Sequence, residues 1–317
     1  MIFSAAPDIA LQAAAPGLQV LALLISVPGS AEFYLAVIPL ILWCYDRDLG
    51  VRLLLLCSAS GAINSTLKLL FHAPRPYWIS SGVKAFASEP TFGMPSAAAQ
   101  VSLTFLGCIG ARFRQAKAWA GIVVLVLLVG IARMYLGVHF PGDVLTGWIF
   151  AIVILVVFLR YESPAAAWLR TRTVPARILL ALCGSGAMIL ASWMVIAGLG
   201  AWQVPAAWSA QAFAQTQVPI NPLSLKDTLS AAGLFFGAAA GAVPGGGTVP
   251  GDSGPGLRRN ALRILAGGLV LAALWAGLGD LTRSPDLTGP AVTWIRAALA
   301  GVWITGGAPV LFRKTGI

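Results

Sequence analysis

Three short polar clusters interrupt an otherwise apolar chain, and their residue types suit one task, gripping an oxyanion and attacking it. The last cluster reads Arg133-Met-Tyr-Leu-Gly-Val-His139-Phe-Pro-Gly-Asp143. Pro141 is placed to open a helix, because proline's fixed φ suits the first helical position. Asp143 then falls in the first turn, where a carboxylate is favoured and can reach back to His139. A carboxylate held against one imidazole nitrogen fixes the tautomer and leaves the other nitrogen free as a nucleophile. Arg133 adds a planar donor fork suited to phosphate oxygens. The middle cluster, Pro95-Ser96-Ala97-Ala98, opens another helix, whose first amides and the Ser96 hydroxyl can cradle an anion. The first cluster, Lys68-Leu-Leu-Phe-His72-Ala-Pro-Arg75-Pro76, contributes an ammonium and a guanidinium. Taken singly, each of these charges also reads as an interfacial anchor, since long cationic side chains at span ends snorkel toward water.

The rest of the composition fixes the solvent. Hydrophobic residues make up 58% of the 317 and charged residues 10%, with a mean hydropathy of +0.84. Soluble domains carry roughly 25% charged residues, so most of this chain must face lipid. The net charge of +10 does not point to nucleic acid, because the basic residues stand at the ends of apolar runs and not on one stripe. Cys44, Cys57, Cys108 and Cys183 lie in apolar runs without metal-ligand spacing and read as small buried hydrophobes. With His72 and His139 the only histidines, no metal site is expected. The first 15 residues lack the basic start of a cleavable signal peptide, and residues 5–20 read as an interfacial or re-entrant helix.

Hydropathy predicts an all-α, polytopic membrane helical bundle of about nine transmembrane helices. They are placed at Ala31–Tyr45, Val51–Phe71, Ser96–Ala111, Trp119–Tyr135, Asp143–Arg160, Arg177–Leu199, Asp227–Val243, Ala261–Gly279 and Pro290–Phe312. If nine spans alternate, the basic groups at Arg47 and Arg52, Arg112–Lys117, Arg160–Arg177, Arg258–Arg263 and Arg313–Lys314 share one side. The positive-inside rule makes that side cytoplasmic, with the N-terminus outside and the C-terminus inside. All three polar clusters then converge on the extracytoplasmic face. Residues 244–256 read as a flexible linker. The outer loop Gly200–Leu225, with Trp202 and Trp208, reads as an aromatic belt or a lid over the site.

Together the clusters, in the order K-x6-R-P, P-S-x-x and R-x5-H-x3-D, resemble the signature of the type 2 phosphatidic acid phosphatase superfamily. That family includes bacterial lipid phosphatases, undecaprenyl-diphosphate phosphatases, glucose-6-phosphatase and the vanadium haloperoxidases. The resemblance covers Lys68–Asp143 closely. It implies a helical core over residues 1–176, with residues 177–317 a C-terminal transmembrane extension that the motifs do not reach. Carried onto this chain, it implies that Lys68, Arg75, Ser96, Ala97 and Arg133 bind the phosphoryl oxygens. His139 would form a phosphohistidine and Asp143 would orient it, with no metal or organic cofactor. The implied partner is a phosphorylated lipid within the membrane, and the implied location is a bacterial inner membrane with the site on the extracytoplasmic side. Oligomeric state stays open.

Two positions depart from the family pattern. The third motif usually begins Ser-Arg and here begins Ala132-Arg133. The second usually reads Pro-Ser-Gly-His, and here Ala98 stands where the family places the general acid that protonates the leaving alkoxide. General acid catalysis is typically worth about 10²–10⁴-fold, so cleavage of a monoester with a poor leaving group is expected to be impaired. A diphosphate, whose leaving group is already a weak base, would suffer less. The alanine fits an inactivated variant, a natural binder or transporter of phospholipids on the same fold, or an enzyme using another acid such as His72. A phosphatase for soluble phosphoesters such as sugar phosphates is a further alternative.

Overall fold

A computed structural model of the chain describes residues 4–113, 115–243, 256–283 and 288–317. Arg114 and all of the expected linker except Gly256 lie outside these residues. The first helices are α1 (Ala6–Ala14), α2 (Gln19–Ser26), α3 (Ala31–Cys44), α4 (Arg47–Phe71) and the single turn α5 (Pro76–Ile79). Then come α6 (Ala97–Phe113), α7 (Ala116–Tyr135), α8 (Pro141–Arg170), α9 (Val174–Gly198) and α10 (Ala206–Thr216). The chain ends with α11 (Lys226–Ala242), α12 (Leu257–Gly277), α13 (Thr288–Val302) and α14 (Ala308–Thr315). The described residues contain no strand.

The expected nine spans need correction: among the described residues six helical stretches are long and apolar enough to cross a membrane. They are Arg47–Ile79, α7, α8, α9, α12 and Thr288–Thr315. A seventh arises only if α1 and Gln19–Gly29, bent by 118° at their junction, count together. The three expected spans that fail are short: α3 has 14 residues, and α6 and α11 have 17 each. At 1.5 Å per residue such helices reach only about 21–26 Å, short of the roughly 30 Å hydrocarbon core. An apolar run looks the same in sequence whether its walls are lipid or protein. Here α6 is walled by protein, with ten of its residues buried. The orientation drawn from nine alternating spans loses that footing, but the chain is an integral membrane protein. The faces of α7, α8 and α9 that carry exposed Leu127, Ile152, Val156, Leu179 and Met194 have the apolar surface that lipid would cover.

The chain folds into two compact units. One comprises Met1–Phe33, Ile63–Leu159 and Ala191–Ser224, and the other Tyr34–Ala62, Arg160–Leu190 and Leu225–Ile317. In the second unit α11 lies against α13 at backbone distance. A Cβ on Gly301 would meet Ala238 N at 2.6 Å and Leu234 O at 2.7 Å. Trp43 Nε1 donates to Ile304 O (2.9 Å) and Arg263 Nη1 to Trp43 O (2.9 Å), tying α3 to the C-terminal helices.

All three polar clusters belong to the first unit. Its helices are brought together by small residues where α8 crosses its neighbours. A Cβ on Gly147 would stand 2.7 Å from Ser96 O, and one on Gly130 would stand 2.6 Å from the Trp148 ring. The loop between α5 and α6 is tied down by backbone bonds from Gly93 N to Ala73 O (3.0 Å) and from Ser96 N to Asp143 O (2.9 Å). The C-terminal ends of α4 and α7 and the N-terminal ends of α6 and α8 thereby meet.

Candidate active site

Arg75 is the hub of this meeting point and is wholly buried. It follows α4 and caps the single turn of α5, where Pro76 forces the preceding residue into extended backbone. Its Nε donates to Thr91 O (2.6 Å) and its Nη2 to Phe92 O (3.0 Å) and Thr91 Oγ1 (3.3 Å). Its Nη1 donates to Val138 O (2.9 Å) and lies 3.2 Å from His139 Nε2. A guanidinium has no acceptor, so Nε2 must offer its lone pair and the imidazole proton must sit on Nδ1.

That proton faces Asp143. Nδ1 is 3.4 Å from Asp143 Oδ2, a close approach that falls short of hydrogen-bond geometry. Oδ2 also accepts from Phe140 N (2.9 Å), closing the turn that opens α8. A Cβ on Gly93 would stand 3.0 Å from the same oxygen and 2.8 Å from Pro74 O, so this crossing requires glycine. Burial first, then the charges of Arg75, Arg133 and Lys68, hold the His139 pKa well below the ordinary histidine range. The ring is therefore neutral, the state a nitrogen nucleophile needs.

Lys68 joins through Thr91. Its Nζ donates to Thr91 Oγ1 (3.0 Å), the same hydroxyl that accepts from Arg75. Arg133, at the end of α7, is linked through Glu89, whose Oε1 pairs with Arg133 Nη2 and whose Oε2 is 3.9 Å from Arg75 Nη2. Burial raises the Glu89 carboxyl, but Arg133, Arg75 and Lys68 outweigh it and hold the pKa at about 2. Glu89 and Thr91 escaped the sequence reading. The available signal was an acid in a chain with only 11 Asp and Glu, standing just ahead of the second cluster.

The second cluster forms the turn that opens α6. Ser96 is fully buried, and its hydroxyl accepts from Ala99 N (3.4 Å), capping α6. Asn64 Nδ2 reaches Pro95 O (3.3 Å) and Gln100 Oε1 (2.9 Å) and steadies this turn. Ala97 opens α6 half-buried. Ala98 is 4% exposed, and a Cβ on Gly29 would land on its methyl and 2.9 Å from its Cα. Three residues earlier, Ser26 Oγ accepts from Arg133 Nη1 (3.1 Å). Ala98 is thus covered by Gly29, in the same segment whose Ser26 holds Arg133.

His72 lies to one side. Its Nδ1 is 3.0 Å from Leu70 O, and its ring packs on Trp202 (5.0 Å between centroids) and Phe92 (6.5 Å). Trp202 and Trp208 belong to the stretch expected as belt or lid. Gln215, on α10, accepts from Ala85 N (3.0 Å) and donates to Tyr77 O (3.3 Å). Asn221 N donates to Pro90 O (2.9 Å). The stretch is fastened to the very loop that carries Glu89 and Thr91.

Among the described residues no group of three or more His, Cys, Asp or Glu could hold a metal ion. The arrangement offers a neutral imidazole nitrogen beside three cations, which suits nucleophilic attack on a phosphoryl centre.

Comparison with known proteins gives the same direction. The PAP2 superfamily matches residues 49–167, and the transmembrane extension of PAP2 superfamily phosphatases matches residues 229–317. Among curated proteins, the undecaprenyl-diphosphatase BcrC of Bacillus subtilis is 27% identical over 140 residues, covering 40% of this chain and 67% of that protein. A Dictyostelium discoideum protein named "Probable sphingosine-1-phosphate phosphatase" is 28% identical over 144 residues, 40% of this chain but only 34% of that protein. No solved structure matches the chain. The two family matches fall on the helices that carry the site and on the C-terminal helices, and over those stretches the chain is similar to PAP2 (phosphatidic acid phosphatase type 2) superfamily phosphatases and their transmembrane extension.

Proposed function

We propose that this protein hydrolyses a lipid diphosphate, of the isoprenoid carrier kind, through a phosphohistidine at His139. The observation that carries the reading is the 3.2 Å approach of Arg75 Nη1 to His139 Nε2, which marks Nε2 as the unprotonated nitrogen; an incoming phosphoryl group takes the place of the Arg75 donor on that lone pair. In the first step that lone pair forms the N–P bond to the terminal phosphorus, and the bridging P–O bond breaks. The lipid monophosphate leaves with the bond electrons. Water then attacks the same phosphorus, the N–P bond breaks, and inorganic phosphate departs while Nε2 regains its lone pair. Asp143 keeps the imidazole proton on Nδ1, and the cations stabilise the charge on the transferring oxygens. The Ser96 turn positions α6 beneath them.

Leaving-group chemistry selects the diphosphate. Without an imidazole at position 98, a departing alkoxide would leave unprotonated, whereas a phosphate needs no such help. The similarity to a protein named undecaprenyl-diphosphatase supports the same class. The ends of α7 and α8 support an extracytoplasmic site. Arg112 and Lys117 flank the start of α7 and the site lies at its end, while Asp143 starts α8 and Arg160 and Arg170 lie toward its other end. The positive-inside rule puts those basic ends, and by the same logic Arg313 and Lys314, in the cytoplasm.

The covered position 98 also favours one other reading, a binder or transporter of phosphorylated lipids that performs no hydrolysis. One experiment separates the two. Purified protein and its His139→Ala variant are assayed for phosphate release from farnesyl diphosphate and phosphatidate, with trapping of acid-labile phosphoenzyme. Release from the diphosphate that is lost in His139→Ala supports the hydrolase. Phosphate binding without release from either compound supports the binder, and release unaffected by His139→Ala refutes the mechanism.

A further inference from the structure

We propose that Glu89 sets the specificity of the phosphate cradle: its carboxylate holds the seat on Arg133 and Arg75 in the resting protein, so that a terminal phosphate displaces it and a phosphodiester headgroup does not. The inference rests on the reading of Lys68, Arg75 and Arg133 as phosphate ligands.

Glu89 is held there by its backbone. The buried Tyr77 hydroxyl donates to Glu89 O (3.0 Å) and accepts from Glu89 N (3.1 Å). Asn221 fixes the next residue through Pro90 O. The side chain is thereby aimed at two arginines on separate elements, one wholly buried and one nearly so. The side chain remains 32% exposed, so the carboxylate can turn toward water without disturbing its backbone. Burial pushes the carboxyl's pKa up, but the surrounding cations outweigh it and keep the acid ionised.

A cradle of three cations at a membrane surface faces a selectivity problem, because bulk phospholipids present phosphodiester anions in great excess over terminal phosphates. A phosphodiester carries a single negative charge, as Glu89 does. Exchanging one for the other gains no charge neutralisation, and Glu89 is tethered and so has the advantage of effective concentration. A terminal phosphate carries about −1.5 to −2 at neutral pH and three acceptor oxygens. It can satisfy Arg133, Arg75 and Lys68 together, where the carboxylate meets only two of them closely. Discrimination of this kind works by making the wrong ligand compete with something already in place.

The test uses the full chain in nonionic detergent and reads binding, not turnover. Inorganic phosphate and dihexanoylphosphatidylglycerol are titrated calorimetrically into wild type, Glu89→Gln and Tyr77→Phe. Wild type should prefer phosphate. Glu89→Gln should bind the phosphodiester more tightly and reduce the ratio of the two affinities by about tenfold or more, the scale of one close charge–charge interaction. Tyr77→Phe, which frees the Glu89 backbone, should reduce the ratio in the same direction and decides the matter if Glu89→Gln does not fold. An unchanged ratio in folded Glu89→Gln overturns the proposal. So does loss of inorganic phosphate binding in that variant, since the carboxylate would then be holding Arg133 in place for the ligand. A reduced ratio in a protein that releases no phosphate from any substrate would sink the hydrolase reading and leave the selectivity standing. Hydrolysis dependent on His139 with an unchanged ratio would do the reverse.

Discussion

Replacing Arg75 by lysine keeps the charge of the cradle and removes its geometry, and the structure sets the size of the effect. The guanidinium reaches five acceptors: Thr91 O, Thr91 Oγ1, Phe92 O, Val138 O and His139 Nε2. They come from two separate loops, and the side chain is fully buried. An ammonium has three donors radiating from one atom, so two of the five contacts must be lost; Thr91 Oγ1 keeps Lys68 as a donor, which leaves at least one buried acceptor unpaired. Such an acceptor costs about 1–3 kcal/mol, so Arg75→Lys should be destabilised by at least roughly that amount. Losing the donor at His139 Nε2 should also lower turnover by about 10²–10³-fold. Unfolding in detergent, followed by near-UV dichroism against added denaturant, reads the first quantity, and phosphate release from farnesyl diphosphate reads the second. If Arg75→Lys unfolds within about 0.5 kcal/mol of wild type, as a neutral surface change would, and keeps full turnover, then Arg75 is a point charge and the hub argument fails.

Two further outcomes follow from other contacts. Gly29→Ala places a methyl against that of Ala98, and overpacking of this kind should cost about 1–3 kcal/mol. An unfolding midpoint equal to wild type would mean that residues 26–29 do not rest on α6. Acid should also weaken the fold through two groups acting in the same direction. The Glu89 pKa falls from 4.5 to about 2 on folding, so its contribution is present above 4.5 and is lost as pH drops toward 2. With a third of its side chain exposed, that contribution is discounted for solvent screening. His139, neutral when folded, takes up a proton once unfolded, so its cost appears as pH falls below the ordinary histidine value of about 6.5. Glu89→Gln should remove the steepening below 4.5 and leave the one below 6.5. A wild-type and Glu89→Gln pair with identical acid limbs would contradict the assignment.

The parts of the site legible in the sequence are those whose partners lie close along the chain or whose charge is costly in an apolar stretch. His139 and Asp143 stand one helical turn apart, and Pro141 announces the helix that pairs them. Lys68, Arg75 and Arg133 stood out because a charge inside a hydrophobic run needs a reason. Thr91 gave no such signal, and Glu89 only that of a lone acid ahead of the second cluster. Their partners are reached only through tertiary folding, 44 residues away in the case of Arg133, and they lie on a loop with no period to read. The span count went wrong for a related reason. Hydropathy registers that α3, α6 and α11 are apolar, but it cannot distinguish a helix enclosed by other helices from one bathed in lipid. The runs of glycine and alanine along α11 and α13 were the available hint, since small residues let helix backbones approach.

The contact between Gly29 and Ala98 changes what an alanine in the second motif means. An imidazole simply deleted from a working site would leave a gap at its former place. Here Ala98 is 4% exposed, its methyl lies under the Gly29 backbone, and Ser26 in the same segment holds Arg133. The small residue at 98 is therefore matched to the packed segment 26–29, whose Ser26 also holds Arg133. On the proposed mechanism the match has a chemical counterpart. A site without a proton donor on the leaving-group side turns over only substrates whose leaving group is already a weak base. The small residue at 98 and a preference for diphosphates over alkyl monoesters then have one origin.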